Sequence, residues 1–380
     1  MPDPSEFDHE PTDAELPALS TAPRRFPCQQ CGAELQYAPG TRVLKCEYCS
    51  FENQIPQAEE EVAELDFESA VAQLRAAAPT QDNPVIKCDA CGAESSFPPN
   101  VTASACPFCG SKIVATGQSR NHIKPRSLLP FKITRDKSLE LFGSWLSSLW
   151  FAPSDLRQYA LNDEKLRGVY LPHWTYDCRT TSFYRGQRGD DYWVTVPRTV
   201  MVNGRSQVRM TRERRTRWRS VSGTVGNRFD DVLVPASRSL PQDDLIKLEP
   251  WDLKALAPYD DAYLSGFIAE SYQVDLAQGF TVAQGLMDPV IRQTVCRDIG
   301  GDHQRIDSLK TQYAGITFKH ILLPVWLSAY RYRGRLFRFM VNARTGEIFG
   351  QRPYSAWKIA LVVLAGLVVV ALVVLFTQRR

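Results

Sequence analysis

The clearest pattern lies near the end of the chain, where Ile359 to Phe376 run eighteen residues without a polar or charged side chain. As a helix rising about 1.5 Å per residue, this stretch is about 27 Å long, close to the thickness of a bilayer's hydrocarbon core. Trp357 and Lys358 flank one edge, with Thr377, Gln378, Arg379 and Arg380 at the other. An interfacial aromatic and basic groups suit the two boundaries of a spanning helix. A buried core helix is the alternative, but nothing follows the segment that would cover it. The pattern predicts a single-pass C-terminal anchor over residues 354–380.

Upstream the periods are shorter. Pro130 to Trp150 reads as a strand entering a helix, with Leu139, Phe142, Leu146 and Leu149 at helical spacing. Trp145 and Trp150 extend that stripe and are expected in the core. Asp66 predicts the cap of a short helix over 67–78, ended by Pro79, with Phe67, Ala70, Val71 and Leu74 on one face. It reads as a spacer packed against a ribbon, with a partner-binding helix as the alternative. Asp288-Pro289 predicts a helix start and Gly300-Gly301 its stop, with Val290, Ile291, Thr294, Val295 and Ile299 inward.

Two similar strings mark strands. Val169-Tyr170-Leu171-Pro172-His173-Trp174 is followed by Tyr184-Arg185-Gly186, and Ile321-Leu322-Leu323-Pro324-Val325-Trp326 by Tyr332-Arg333-Gly334. Each resembles a buried strand, a proline at its edge and a turn into a second strand, which predicts a diverged internal repeat. Alternation over 335–341, turn residues from Asn342 to Gly346, and Glu347–Phe349 complete a meander. Residues 118–353 are therefore expected to form an α+β, strand-rich body.

Composition agrees with one anchor and a folded remainder. Of 380 residues 44% are hydrophobic, which excludes a wholly disordered chain. A mean hydropathy of −0.27 excludes a polytopic membrane protein. The length suits roughly two to three domains. Residues 1–25 are acidic (Asp3, Glu6, Asp8, Glu10, Asp13, Glu15), without a basic head or apolar stretch. They read as a disordered tail with no secretory signal.

Eight of the ten cysteines form two sets with one spacing. Cys28-x2-Cys31 and Cys46-x2-Cys49 recur as Cys88-x2-Cys91 and Cys106-x2-Cys109, sixty residues on. Gly32-Ala33-Glu34 matches Gly92-Ala93-Glu94, Pro39 matches Pro99, and Tyr37 and Tyr48 match Phe97 and Phe108. This is an internal duplication. A C-x2-C knuckle grips one side of a tetrahedral ion, and a second knuckle on a β-hairpin closes the site. Four thiolates leave no open position, so the expectation is two structural zinc ions, in ribbons at 26–56 and 85–117 joined by an acidic linker at 57–84. Iron in a rubredoxin-like site is the rival ion, and paired disulfides would need an oxidising compartment. Thiolate ligation places residues 1–357 in the cytosol. Scattered lysines and arginines around the knuckles, with Glu59, Glu60, Glu61, Glu64, Asp66 and Glu68 between them, favour protein partners over phosphate backbones.

One stretch departs from this pattern. Residues 205–219 carry seven arginines (Arg205, Arg209, Arg212, Arg214, Arg215, Arg217, Arg219) against Glu213, with Trp218 among them. Three readings stay open: a solvated hairpin paired with acids such as Asp230, Asp231, Asp243 and Asp244; a site for anionic lipid or protein; and a nucleic-acid site. No phosphate loop, nucleophile elbow or H-E-x-x-H is present, so no enzyme and no small-molecule substrate are expected. His173, Cys178 and Cys296 read as core residues, and Gly301-Asp302-His303 as a turn.

Together these residues resemble a bacterial group of tail-anchored double-zinc-ribbon proteins, often labelled primosomal protein N′ (replication factor Y), helicase-like or transcription-factor-IIB-type. The matching pieces are CGAE…CPFCGS, LLPF at 128–131, WFAP at 150–153, GVYLPHWTYD at 168–177, SGTV at 222–225, LLPVW at 322–326 and NARTGEIFGQRPYSAWKI before the anchor. A helicase is rejected, because nothing here would hold nucleotide phosphates and magnesium. The resemblance implies an inner-membrane adaptor working beside SPFH-domain or phage-shock-type membrane-remodelling proteins; a membrane-tethered nucleic-acid binder is the alternative. The net charge of +3 resides in Lys358, Arg379 and Arg380, leaving 42 basic and 42 acidic groups in the remainder.

Overall fold

The computed structural model describes residues 26–33, 35–56, 63–76, 85–87, 94–96, 103–105, 112–114, 123–156, 158, 166–202 and 205–378. The short strands are β1 (Gln36–Tyr37), β2 (Val43–Lys45), β3 (Glu52–Gln54), β4 (Leu65–Asp66), β5 (Val85–Lys87), β6 (Glu94–Ser96), β7 (Ala103–Ala105), β8 (Lys112–Val114) and β9 (Ser127–Leu128). Helix α1 (Phe67–Ala76) follows β4, and α2 (Arg135–Ser148) follows β9.

Three strands dominate the body. β10 (Arg167–Val202), β11 (Arg205–Pro235) and β14 (His303–Tyr332) have 36, 31 and 30 residues, where about 5–6 is usual. Between them lie α3 (Gln242–Ile246), β12 (Ala257–Pro258), β13 (Ile268–Ala269) and α4 (Leu276–Ile299). After β14 come β15 (Arg335–Asn342), β16 (Ile348–Gly350) and α5 (Ala356–Gln378). β10 is central, antiparallel to β11 on one side and to β14 on the other. β15 and β16 continue the meander beyond β14.

The sequence along β10 sets three zones. Near its start, Val169–Tyr176 is buried throughout, matching the unbroken buried stretch of β14 against it. Both faces are covered there, the arrangement that a near-continuous hydrophobic strand requires. From Cys178 to Gly186 burial alternates residue by residue, so one face is covered and the other is wet. Beyond Gly189 the third strand ends, since His303 is its last partner, and only the β10–β11 hairpin continues.

Helix α4 covers the middle zone. At about 1.5 Å per residue its 24 residues span about 36 Å, the length of eleven strand residues at about 3.3 Å. Two bonds tie its ends to β10: the Tyr176 hydroxyl donates to the Leu276 carbonyl (2.7 Å), and Tyr184 donates to Asp298 near the other end. The buried stripe is Leu276, Phe280, Ala283, Met287, Ile291, Val295 and Ile299. Gly279 lets the helix approach, because a Cβ there would lie 2.3 Å from the Tyr176 hydroxyl and 2.8 Å from the Trp174 ring. Gly279→Leu should therefore lower stability by about 1–3 kcal/mol through overpacking, a cost that the helix-propensity gain of about 1 kcal/mol does not offset; denaturant unfolding of the full chain measures this.

Asp288-Pro289 does not start this helix; Asp275 does, its carboxylate accepting from Gln278 N at 2.7 Å. Pro289 lies inside, and the carbonyl it leaves unbonded belongs to Gly285 on the exposed side, where solvent satisfies it. Gly300, at φ +64°, ends the helix as predicted. Tyr184-Arg185-Gly186 is not a turn: Gly186 packs against the Arg305 carbonyl of β14 at a register shift, and the strand runs on. Tyr332-Arg333-Gly334 is a turn, with both Arg333 and Gly334 at positive φ. The two similar strings are neighbours, paired antiparallel from Val169 opposite Val325 to Trp174 opposite His320.

Helix α1 is capped by Asp66, which accepts from Ser69 N at 2.8 Å. It packs on the body, with Phe67 against Tyr176 and Phe280. Helix α2 buries Phe142, Leu146 and Leu149, but the helix stops at Ser148 and Trp150 is 74% exposed, not core. His173 is buried with Nδ1 on the Leu171 carbonyl, and burial pushes its pKa down to about 4. Cys178 is buried against Met287. Helix α5 is long and apolar enough to cross a membrane, and none of it is buried within the chain. The acidic tail 1–25 and half of the linker (57–62 and 77–84) lie outside the described residues.

Candidate metal centre and arginine-rich arm

Each knuckle in the first ribbon is closed by a tight turn. Gly32 N donates to Cys28 O (2.9 Å) and Ser50 N to Cys46 O (3.0 Å), and both Gly32 and Ser50 adopt positive φ. The strands β1–β2–β3 bring the knuckles together. Cys28 and Cys49 sulfurs are 3.5 Å apart, as are those of Cys31 and Cys46, and all four lie within 4.8 Å of one another. A tetrahedral ion with metal–sulfur bonds of about 2.3 Å sets its sulfurs about 3.8 Å apart, so the group could hold such an ion.

The titration of the cluster leads to the same conclusion. Burial raises the Cys28 thiol, but N–H groups of Cys31 and Gln30 outweigh it and bring it down to about 6. For Cys49 the Phe51 N–H acts downward, yet burial and the neighbouring cysteines push it up to about 12. Four sulfurs this close cannot all ionise unless a cation joins them. Cys88, Cys91, Cys106 and Cys109 lie outside the described residues. Around them, β5 pairs with β6 and β7 with β8, and β6 joins the main sheet through β13.

The first ribbon is seated in the body. Tyr37 is buried between Tyr263 and Phe267, its hydroxyl donates to the carbonyls of Thr41 and Phe131, and its N–H donates to Ser265 O. Gly40, at φ +83°, donates to Phe131 O. Cys28 and Cys46 belong to the same apolar core as Phe131, Phe142 and Trp326. Tyr48, in the second knuckle, is 83% exposed.

The seven arginines lie on the outer half of β11, where β10 is the only flanking strand. Pairing places Arg212 and Arg214 on one face, and Arg209, Arg215, Arg217 and Arg219 on the other. Their partners are within the hairpin: Arg214 meets Asp191 at 3.4 Å, Arg219 meets Asp190 at 3.7 Å, and Arg215 meets Glu213 at 3.5 Å. Arg217 lies over the Tyr192 ring. Asp230, Asp231, Asp243 and Asp244 are not their partners: Asp231 pairs with Lys319, and Asp244 with Lys247. Arg209 and Arg212 have no acidic partner among the described residues. The arm also exposes Trp193, Met201, Val208 and Met210. No sequence pattern singled these out: Val208 and Met210 stand alone among polar residues, and Trp193 and Met201 sit between apolar neighbours as ordinary strand residues do.

Sequence reasoning also missed a carboxyl cluster where β4 joins β14. Lys319 Nζ lies 3.1 Å from Glu64 and 2.8 Å from Asp231, and Asp231 N donates to Asp177 at 2.6 Å. Burial, reinforced by Glu64, pushes Asp177 up to about 8. Burial opposes ionisation of Glu64 too, but hydrogen bonds from Asp177 and Thr317, with Lys319, hold it at about 2. Asp177 thus keeps its proton and donates to Glu64. A carboxyl raised in the folded state adds stability that is whole below its unfolded value of about 4 and is lost as pH rises to about 8. The thermal midpoint should fall across that window, and the Asp177→Asn variant should flatten the fall.

No family model matches the chain, and no solved structure matches it. A curated relative is the uncharacterized protein YdjG of Bacillus subtilis (strain 168), 23% identical over 254 residues, which covers 66% of this chain and 70% of the relative.

Proposed function

We propose that the chain is a membrane-tethered zinc-ribbon adaptor that recruits cytosolic protein partners to the bacterial inner membrane, without a catalytic step of its own. The observation that carries this reading is the bare arm. From Asp190 to Val202 it extends about 43 Å at about 3.3 Å per residue, past the last residue of β10 that β14 flanks. Apolar anchors such as Trp193 and Met210, surrounded by guanidinium groups, are the residue types that protein interfaces bury. Each four-cysteine set holds one structural zinc, and thiolate ligation keeps residues 1–357 on the reducing, cytosolic side. The resemblance to tail-anchored double-ribbon proteins supports SPFH-domain or phage-shock-type proteins as the partner class.

Purification in mild detergent tests this. Partners should accompany the full chain and be lost when the arm is shortened. A second reading, nucleic-acid binding, draws on Arg209 and Arg212, which have no acidic partner among the described residues. It requires salt-sensitive retention of DNA or RNA that falls when both become Gln; no retention at low salt rejects it.

A further inference from the structure

The segment that joins α2 to the rest of the body exposes two aromatic side chains beside the start of α5. Trp150 is 74% exposed and Phe151 38%, with Tyr354 at 61% and Trp357 at 76% close by in the chain leading into the helix. The loop is not loose. Ala152 and Leu156 are buried in the core, and the Tyr332 hydroxyl donates to Asp155 at 2.9 Å. Two bonds tie it to the helix start: Ser355 N donates to Phe151 O (2.8 Å), and Lys358 Nζ to Ala152 O (2.7 Å). The packing that buries Ala152 thus turns Trp150 and Phe151 away from the core.

Their height follows from those bonds. Ser355 lies four residues before Ile359, where the uncharged run begins, so the Phe151 backbone stands about 6 Å from its edge at about 1.5 Å per residue. That is the headgroup layer, where Trp and Tyr are enriched because their rings are apolar and their polar edges stay wet. Arginines accompany them: Arg352, half-buried, lies against the Tyr354 ring, and exposed Arg331, Arg333 and Arg335 border the turn next to Tyr332. Guanidinium groups at that level suit lipid phosphates.

We propose that Trp150 and Phe151 form a second membrane contact, an aromatic wedge in the headgroup layer that, with Trp357, holds the body at a set height and tilt on the bilayer. The proposal rests on α5 spanning the membrane. A single helix crossing leaves the body free to rotate about its junction; the wedge supplies the second point that removes this freedom. The lipid surface is its occupant because the patch is continuous with the spanning helix.

Lipid quenching tests it on the full chain in bilayers of phosphatidylcholine and phosphatidylglycerol. Lipids brominated near the headgroup or near the chain ends quench tryptophans at the matching depth. Subtracting the emission of Trp150→Phe or Trp357→Phe from that of the parent isolates each side chain, and both substitutions are conservative at exposed sites. The expected result is that both contributions are quenched to a similar degree, more by shallow than by deep bromines. Quenching of Trp357 without Trp150 overturns the wedge and leaves the anchor standing. If Trp150 is then also shielded from a water-soluble quencher, a protein covers it instead. Quenching of neither, with release of the chain by carbonate, removes the anchor and the wedge together.

Discussion

Cys46→Ser is expected to remove one metal ion per chain and to release residues 26–56 from the body. Cys46 is fully buried, and its backbone anchors the second knuckle through Ser50 N and Phe51 O. Structural zinc contributes on the order of 10 kcal/mol to a small four-ligand module. The core of the ribbon alone (Leu35, Tyr37, Leu44 and Ile55) is too small to replace that. The ribbon should become sensitive to protease while α4 and the long sheet stay folded. Tyr37→Ala separates docking from metal binding: its ring is buried against Tyr263, so the body should lose about 3–5 kcal/mol, yet the metal content should not change. Elemental analysis with limited proteolysis reads both variants. Full metal retention by Cys46→Ser contradicts the four-thiolate site, and a parent value near two zinc per chain is expected if the second set binds as the first.

The second large effect is on membrane association. Fourteen of the eighteen residues from Ile359 to Phe376 are Leu, Ile, Val or Phe. At about 0.3–0.6 kcal/mol each on an insertion scale they contribute about 4–8 kcal/mol. Deleting 356–380 removes all of it, and the truncated chain should move from the carbonate-resistant pellet to the supernatant. The wedge alone cannot hold it, since Trp150 and Phe151 are only two side chains at the interface. A truncated chain that stays in the pellet contradicts this account of tethering.

How far the sequence was legible depended on the range of each signal. The C-x2-C knuckles were plain because spacing alone dictates the tight turns at Gly32 and Ser50. The apolar run of α5 and the caps at Asp66 and Gly300 are local in the same way. Strand length was hidden, because it is set by pairing. Gly186 looks like a turn residue, and only the β14 backbone beside it shows why a glycine is needed in mid-strand. Trp150 continues a helical stripe in sequence, but α2 ends two residues earlier and the spacing no longer applies. Pro289 resembled a helix start because the capping Asp275 lies fourteen residues upstream, beyond the reach of that signal. The acids that neutralise the arginines, Asp190 and Asp191, could be found only from the hairpin register. Glu64, Asp177 and Lys319 meet only through tertiary packing.

The central claim is that the arm recruits partners, and shortening it tests that directly. Gly189 lies directly opposite Trp218, so residues 190–217 can be replaced by Asn-Gly, which closes a two-residue hairpin with matching twist. The measurement is the amount of partner protein that co-purifies from detergent-solubilised membranes with the full chain and with this variant, at equal metal content and equal membrane association. The account predicts that partners accompany the full chain and are lost from the variant. Undiminished recovery with the shortened arm would contradict it.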